Sequence, residues 1–183
     1  ISKEEKTISD RFYTKIIPAD SKTKSEFDRN REFFEKLLNQ NILLKAPFFY
    51  KTKIKDTNNF NLTNYAVLFP GASEVNKIWD YKNFYEVGNY LYNKYNLNIV
   101  ICGGKEDKIY ATKIRELSNG SFTDLTGETT LTDMIAILSN AKILISNDTS
   151  SVHFAQACDT KTVFVLNGRH FGRFAPYPKT ISE

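Results

Sequence analysis

From Tyr65 onward one unit recurs: a short apolar run, a stop made of small or polar residues, then a stretch with apolar positions three or four apart. The apolar runs are Tyr65–Phe69, Asn98–Cys102, Phe122–Leu125, Lys142–Ser146 and Thr162–Leu166. Between them, Tyr81, Phe84, Tyr85, Gly88, Leu91, Tyr92 and Tyr95 predict one helix. Tyr110, Ile114 and Leu117 predict a second, and Leu131, Met134, Ile135 and Leu138 a third. Thr130 and Asp133 have the spacing of a capping box, and a short helix is predicted from about Ser151 to Ala157. Several runs lack polar alternation, as strands covered on both faces do. Strands alternating with helices predict an α/β fold with a parallel sheet and right-handed crossovers.

Residues 1–61 read differently from residues 62–183, and a domain boundary is predicted there. The first part is polar and Lys-rich. Its helix, Glu26–Asn39, carries Phe27, Phe34 and Leu38 with Phe33 and Leu37 beside them, and Ser25 is its predicted N-cap. Ala46-Pro47 starts an extended stretch, and Lys51–Asn61 reads as a linker. Aromatic residues make up 14% of the 183-residue chain, which excludes a disordered tail. The net charge is +4 with Lys scattered, so no nucleic-acid stripe is expected. No apolar run approaches the roughly 20 residues of a membrane span. Ile1–Asp10 is too polar for a signal peptide. A chain that begins at Ile1 is expected to be a fragment. Two cysteines, Cys102 and Cys158, make no disulfide framework; buried free thiols in a reducing cytoplasm are expected.

In an open parallel sheet the loops after the strands emerge at one edge, where ligands bind. Here those loops are Pro70-Gly71-Ala72-Ser73, Gly103-Gly104, Thr126-Gly127, Asn147-Asp148-Thr149-Ser150 and Asn167-Gly168. Small residues let backbone N–H groups approach a ligand. The helix start after Asn147 is a ready anion site, to which Thr149, Ser150 and Ser151 add hydroxyls and His153 an imidazole. The same residues also fit a plain N-cap at Asp148 or Thr149 and a surface His153; spacing does not separate the two. Lys77 is either a cation for that edge or a solvated lysine. Glu106 either accepts hydrogen bonds from a ribose or stabilises a first helical turn. Gly-x-Gly-x-x-Gly, a Walker loop, Asp-x-Asp and a nucleophile elbow are all missing. Asn61, Asn119 and Asn147 head sequons that read as chance matches.

Five stretches together resemble glycosyltransferase family 9, the bacterial heptosyltransferases. They are Val67-Leu-Phe-Pro-Gly-Ala-Ser73, Lys77-Ile-Trp79, Val100-Ile-Cys-Gly-Gly104 with Glu106, Asp124-Leu-Thr-Gly127 with Thr130-Leu131, and Ser146-Asn-Asp-Thr-Ser-Ser-Val-His153 with Ala155 and Ala157. Their order and spacing agree across residues 64–170. The resemblance implies a GT-B fold, two Rossmann-like domains facing a cleft. This chain would be its C-terminal half, a Rossmann-like doubly wound sheet, with a remnant of the N-terminal domain that includes Tyr13-Thr14 and the helix at Glu26. It further implies that Ser73 and Lys77 approach the donor phosphates and sugar. Glu106 would meet the ribose, Thr129 would lie beside the base, and Asp148 would contact the donor sugar. Thr149, Ser150 and His153 would hold the diphosphate. The catalytic base is expected in the N-terminal domain, and no metal or cofactor is implied.

The implied reaction is inverting, metal-independent transfer of a sugar, heptose by the family pattern, from a nucleotide-diphosphate donor such as ADP-heptose to a lipopolysaccharide-core or related glycan. The implied partners are that donor and a lipid-linked or oligosaccharide acceptor, in the cytoplasm, with peripheral contact at the inner membrane surface left open. A catalytically degenerate sugar-nucleotide-binding module and a sugar-nucleotide epimerase are the alternatives. Two departures stand out. Ser150 replaces the family's glycine, which requires that its φ stay out of the positive region. Asn167-Gly-Arg169-His170 replaces Gly-Pro-Thr, with Arg169 as an extra phosphate donor or a sign of another sugar.

Overall fold

The computed structural model describes residues 14–20, 25–49, 60–168, 171–178 and 181. Ile1–Asp10, Tyr13, all but the last two residues of the predicted linker, and Arg169 with His170 lie outside them. The chain divides into two compact units: residues up to Ala46 together with those from Gly168 onward, and Pro47–Asn167.

In the first unit, α1 spans Glu26–Leu38 and ends on Asn39 in the left-handed region (φ 53°). Ser25 has the extended backbone of an N-cap, but its hydroxyl bonds no helix N–H. The helix start is held from elsewhere: the Glu26 N–H donates to Arg173 O (2.8 Å), and the Arg173 guanidinium meets the Glu26 carboxylate at 3.0 Å. Phe27 packs edge-on against Tyr177 with ring centroids 4.7 Å apart. Residues near the end of the chain thus pack with α1. Sequence periodicity is silent on this, because the contact joins residues 147 positions apart.

The second unit holds a five-stranded sheet of β1 (Tyr65–Phe69), β2 (Asn98–Ile101), β3 (Thr123–Asp124), β4 (Ile143–Asn147) and β5 (Thr162–Val165). The order is β3-β2-β1-β4-β5, and every pairing is parallel. Helices α2 (Tyr81–Tyr95), α3 (Lys108–Leu117), α4 (Leu131–Asn140) and α5 (Ser150–Ala157) connect the strands. Central β1 is buried along its whole length, and its side chains serve two cores. Ala66 and Leu68 join Phe84, Leu91, Ala111 and Ile114 from α2 and α3. Tyr65, Val67 and Phe69 join Ile137, Leu138 and Ala155 from α4 and α5. This is the doubly wound arrangement, with a helical layer on each face.

The predicted strands shift by a residue or two. β3 is shorter than Phe122–Leu125: as an edge strand it pairs only with β2, and Asp124 Oδ1 already accepts the Thr126 N–H (2.9 Å) to start a turn. β4 runs one residue further than predicted, through Asn147, which pairs with Val165. The capping box forms, with Thr130 Oγ1 accepting from the Asp133 N–H at 3.2 Å and the Asp133 carboxylate accepting from the Thr130 N–H at 3.1 Å. Cys102 and Cys158 are buried free thiols. Among the described residues, no helix is long and apolar enough to cross a membrane.

Candidate functional site

The connection from β1 runs to β2 on one side, and β4 follows on the other side of β1. The switch point therefore lies at the carboxyl ends of β1 and β4, where a crevice opens in such sheets. A cleft of about 550 Å³ occupies this edge, lined by Phe69, Gly71, Ala72, Ser73, Glu106, Asp107, Thr149 and Ser150. Loops after β1, β2 and β4 supply its walls. Of the sequence-predicted site residues, Ser73, Glu106, Thr149 and Ser150 line it, while Lys77, Thr129, Asp148 and His153 do not.

Lys77 ends a single 3-10 turn, Val75–Lys77, where its ammonium pairs with Glu74 Oε1 at 3.2 Å. Thr129 is half-buried in the loop before α4. That loop is tied to the start of α3 by Asp124, whose Oδ2 pairs with the Lys108 ammonium at 3.1 Å. Burial alone would raise the Asp124 pKa, but the Thr126 N–H and Lys108 outweigh it and hold the carboxyl below the usual range. His153 is half-buried. Desolvation lowers its pKa and the Asp148 charge opposes this only in part, so the imidazole is neutral at pH 7. A neutral imidazole can donate or accept a hydrogen bond but carries no positive charge.

The start of α5 is built from Thr149, whose extended backbone (φ −137°) and side chain cap the helix. Ser150 is the first helical residue and is not among the positive-φ residues, so serine stands there without strain. The first-turn N–H groups of Ser151 and Val152 turn to Thr149 Oγ1 and Thr149 O. Among the described residues the Ser150 N–H has no hydrogen-bond partner, and Ser150 lines the cleft.

The hydroxyls depart from their predicted use. Ser146 Oγ donates to Asn147 O (2.7 Å), Ser151 Oγ lies 2.8 Å from Ser146 Oγ, and Thr149 Oγ1 lies 2.8 Å from Ser151 Oγ. Each hydroxyl has one proton, so the chain runs inward from Thr149 through Ser151 to Ser146. Ser151 is fully buried and offers nothing to a ligand; of the three predicted hydroxyl donors, Ser150 remains exposed.

Two residues of the site were missed from sequence. Asp107 lines the cleft, and its Oδ2 accepts the Gly104 N–H at 2.8 Å. A Cβ on Gly71 would stand 1.9 Å from Asp107 Oδ1, so any side chain there would make the Asp107 carboxylate move; glycine gives it room there, not a special φ. Burial pushes the Asp107 pKa up, the Gly104 N–H opposes this, and Glu106 adds to it. The signal was an acidic residue three positions after Gly104 in a turn that opens a helix. The other missed residue is Asn147, fully buried at the end of β4 and bonded to the loop after β1. The predicted strand Lys142–Ser146 stops one residue short of it, which places Asn147 first in the loop. Among the described residues, no group of three or more His, Cys, Asp or Glu could hold a metal ion.

The chain is 26% identical over 113 residues to the lipopolysaccharide core heptosyltransferase OpsX of Haemophilus influenzae, covering 61% of this chain and 32% of that protein. It is 25% identical over 134 residues to lipopolysaccharide heptosyltransferase 3 of Escherichia coli, covering 70% and 39%. Among solved structures, a glycosyl transferase family 9 protein from Veillonella parvula superposes with a TM-score of 0.66 at 21% identity, over 84% of this chain and 47% of that one. The Escherichia coli heptosyltransferase WaaC with ADP gives 0.64 at 20% identity, over 84% and 48%. These superpositions agree with the parallel Rossmann-like sheet of the GT-B fold. The chain spans less than half the length of each of these four proteins. The family model of glycosyltransferase family 9 (heptosyltransferase) matches residues 9–182, nearly the whole chain, and the chain belongs to that family.

Proposed function

We propose that Pro47–Asn167 is the donor-binding half of a heptosyltransferase. It would hold a nucleotide-diphosphate sugar, and the parent protein would transfer the sugar, with inversion and without a metal, to a lipopolysaccharide-core or related glycan. The observation that carries this reading is the cleft itself: about 550 Å³ at the sheet's switch point, lined by the start of α5 and by two acidic side chains, Glu106 and Asp107. Family membership supports it. So does the solution of WaaC with ADP and with ADP-2-deoxy-2-fluoro heptose.

In this reading the Ser150 N–H and the positive end of α5 take the negative charge of the diphosphate, which grows as the glycosidic bond breaks. Glu106 and Asp107 accept hydrogen bonds from hydroxyl groups of the donor. Lys77 reaches the phosphates by exchanging Glu74 for the ligand, and neutral His153 donates a hydrogen bond. Asp148 contacts the donor sugar, and Thr129 lies beside the base. The base that deprotonates the acceptor belongs to the part of the protein beyond this chain. Ser150 sits in ordinary helical geometry, so the departure from glycine gives no ground for a degenerate site.

The test is thermal unfolding of the 183-residue chain with ADP, UDP, ADP-heptose and inorganic phosphate. A ligand at 100 times its dissociation constant adds about 2.7 kcal/mol of stability. ADP and ADP-heptose are expected to stabilise the chain more than phosphate alone. Absence of stabilisation by any nucleoside diphosphate would refute the reading. Incubating the parent protein with ADP-heptose alone separates transfer from epimerisation, because an epimerase changes the sugar without an acceptor.

A further inference from the structure

Asn147 is the last residue of β4 and has no exposed surface. Its Nδ2 donates to Pro70 O at 2.7 Å and lies 3.4 Å from Gly71 O, while its Oδ1 accepts the Trp79 N–H at 3.0 Å. The donors and acceptor of one buried carboxamide therefore hold both ends of the loop from Pro70 to Trp79. That loop carries Ser73 and Lys77 and supplies the Gly71-Ala72-Ser73 wall of the cleft. Thr149 and Ser150, two and three residues after Asn147, line the same cleft. The apolar core does not require a primary amide at this position. An apolar side chain of similar volume would fill the space and leave two buried carbonyls and an N–H to find other partners.

From this geometry we infer that Asn147 is a positioning residue. Its carboxamide sets the spacing between the two walls of the cleft, and through that spacing the affinity for a diphosphate, without touching the ligand. The inference rests on the donor-binding reading above. Asn147→Asp keeps the acceptor for the Trp79 N–H but turns a second oxygen toward the carbonyls of Pro70 and Gly71, which pushes the loop away. Asn147→Leu removes all three bonds at similar volume. A purely structural asparagine would lower stability in these variants and leave the affinity of the folded protein unchanged.

The experiment titrates ADP into the unaltered chain and both variants, well below their unfolding temperatures, and reads the emission of Trp79, the single tryptophan of the chain. The dissociation constant is expected to rise about tenfold or more in each variant, the effect of losing one buried hydrogen-bond partner. Binding within about twofold of the unaltered chain, with only the unfolding temperature lowered, would overturn the inference. If neither variant folds, amide exchange in the unaltered chain decides. The Trp79 N–H is expected to be protected and to gain protection with ADP, and exchange that ignores ADP would overturn the inference. Failure of the unaltered chain to bind ADP, in contrast, refutes the donor-binding reading itself.

Discussion

Replacing Gly71 by alanine tests the packing of the cleft at one atom. The added Cβ would lie 1.9 Å from Oδ1 and 2.0 Å from Cγ of Asp107, distances that no packed side chain tolerates. Either the Pro70–Ala72 backbone moves or the Asp107 carboxylate swings out. Swinging out breaks its bond with the Gly104 N–H, but Gly104 is exposed, so water replaces most of that bond. The obstacle is the far end of a flexible side chain, so the expense is mainly the weakened Gly104 bond, about 1 kcal/mol. For a chain of this length, each kcal/mol lowers the unfolding temperature by about 2–4 °C. If Asp107 is the obstacle, Asp107→Ala removes it, and Gly71→Ala should then cost less than about 0.5 kcal/mol in that background. Thermal unfolding of the two single variants and the double variant measures this coupling. Equal cost of Gly71→Ala in both backgrounds would show that Asp107 does not press on Gly71, and the described cleft wall would be wrong.

Further outcomes follow from the same geometry. His153 has a lowered pKa in the folded chain, so below its ordinary value of 6.5 the unfolded state binds the extra proton first. Its contribution to stability is complete above that pH and is lost as the pH falls; His153→Gln should flatten the decline in a pH series of unfolding temperatures. Asp107 has the opposite sign. Its raised pKa makes the folded state hold the proton longer, so stability falls as pH rises from the ordinary 3.8 through the folded value, and Asp107→Asn should remove that fall. Leu68→Ala empties a fully buried position between β1 and α2, and denaturant unfolding should register a loss of about 2–5 kcal/mol. Ser150→Gly should lower stability by less than about 1 kcal/mol and leave ADP affinity within a fewfold of the unaltered chain by calorimetry, because serine is unstrained there.

Much of this protein is legible along the chain, because its strands and helices are local in cause. The run Tyr65–Phe69 lacks polar alternation since central β1 is covered on both faces, and that covering leaves its mark on each residue. The Thr130 and Asp133 cap, the strand-then-small-residue stops and the helix start after Asn147 are also local, so they can be read from spacing. The β3 boundary cannot, since an edge strand ends where its single neighbour stops pairing.

What the residues alone determined is therefore the alternating α/β pattern, the sheet edge where the cleft opens, and the loops that bring Ser73, Glu106, Thr149 and Ser150 to it. Tertiary structure alone decided the rest. Asp107 faces Gly71 across 36 positions, and Asn147 reaches Pro70 across 77. Burial, a property of the assembled core, leaves His153 neutral. The buried hydroxyl chain commits the Ser151 hydroxyl to Ser146. Distances, desolvation and proton direction depend on which segments the fold brings together, and periodicity holds no record of that.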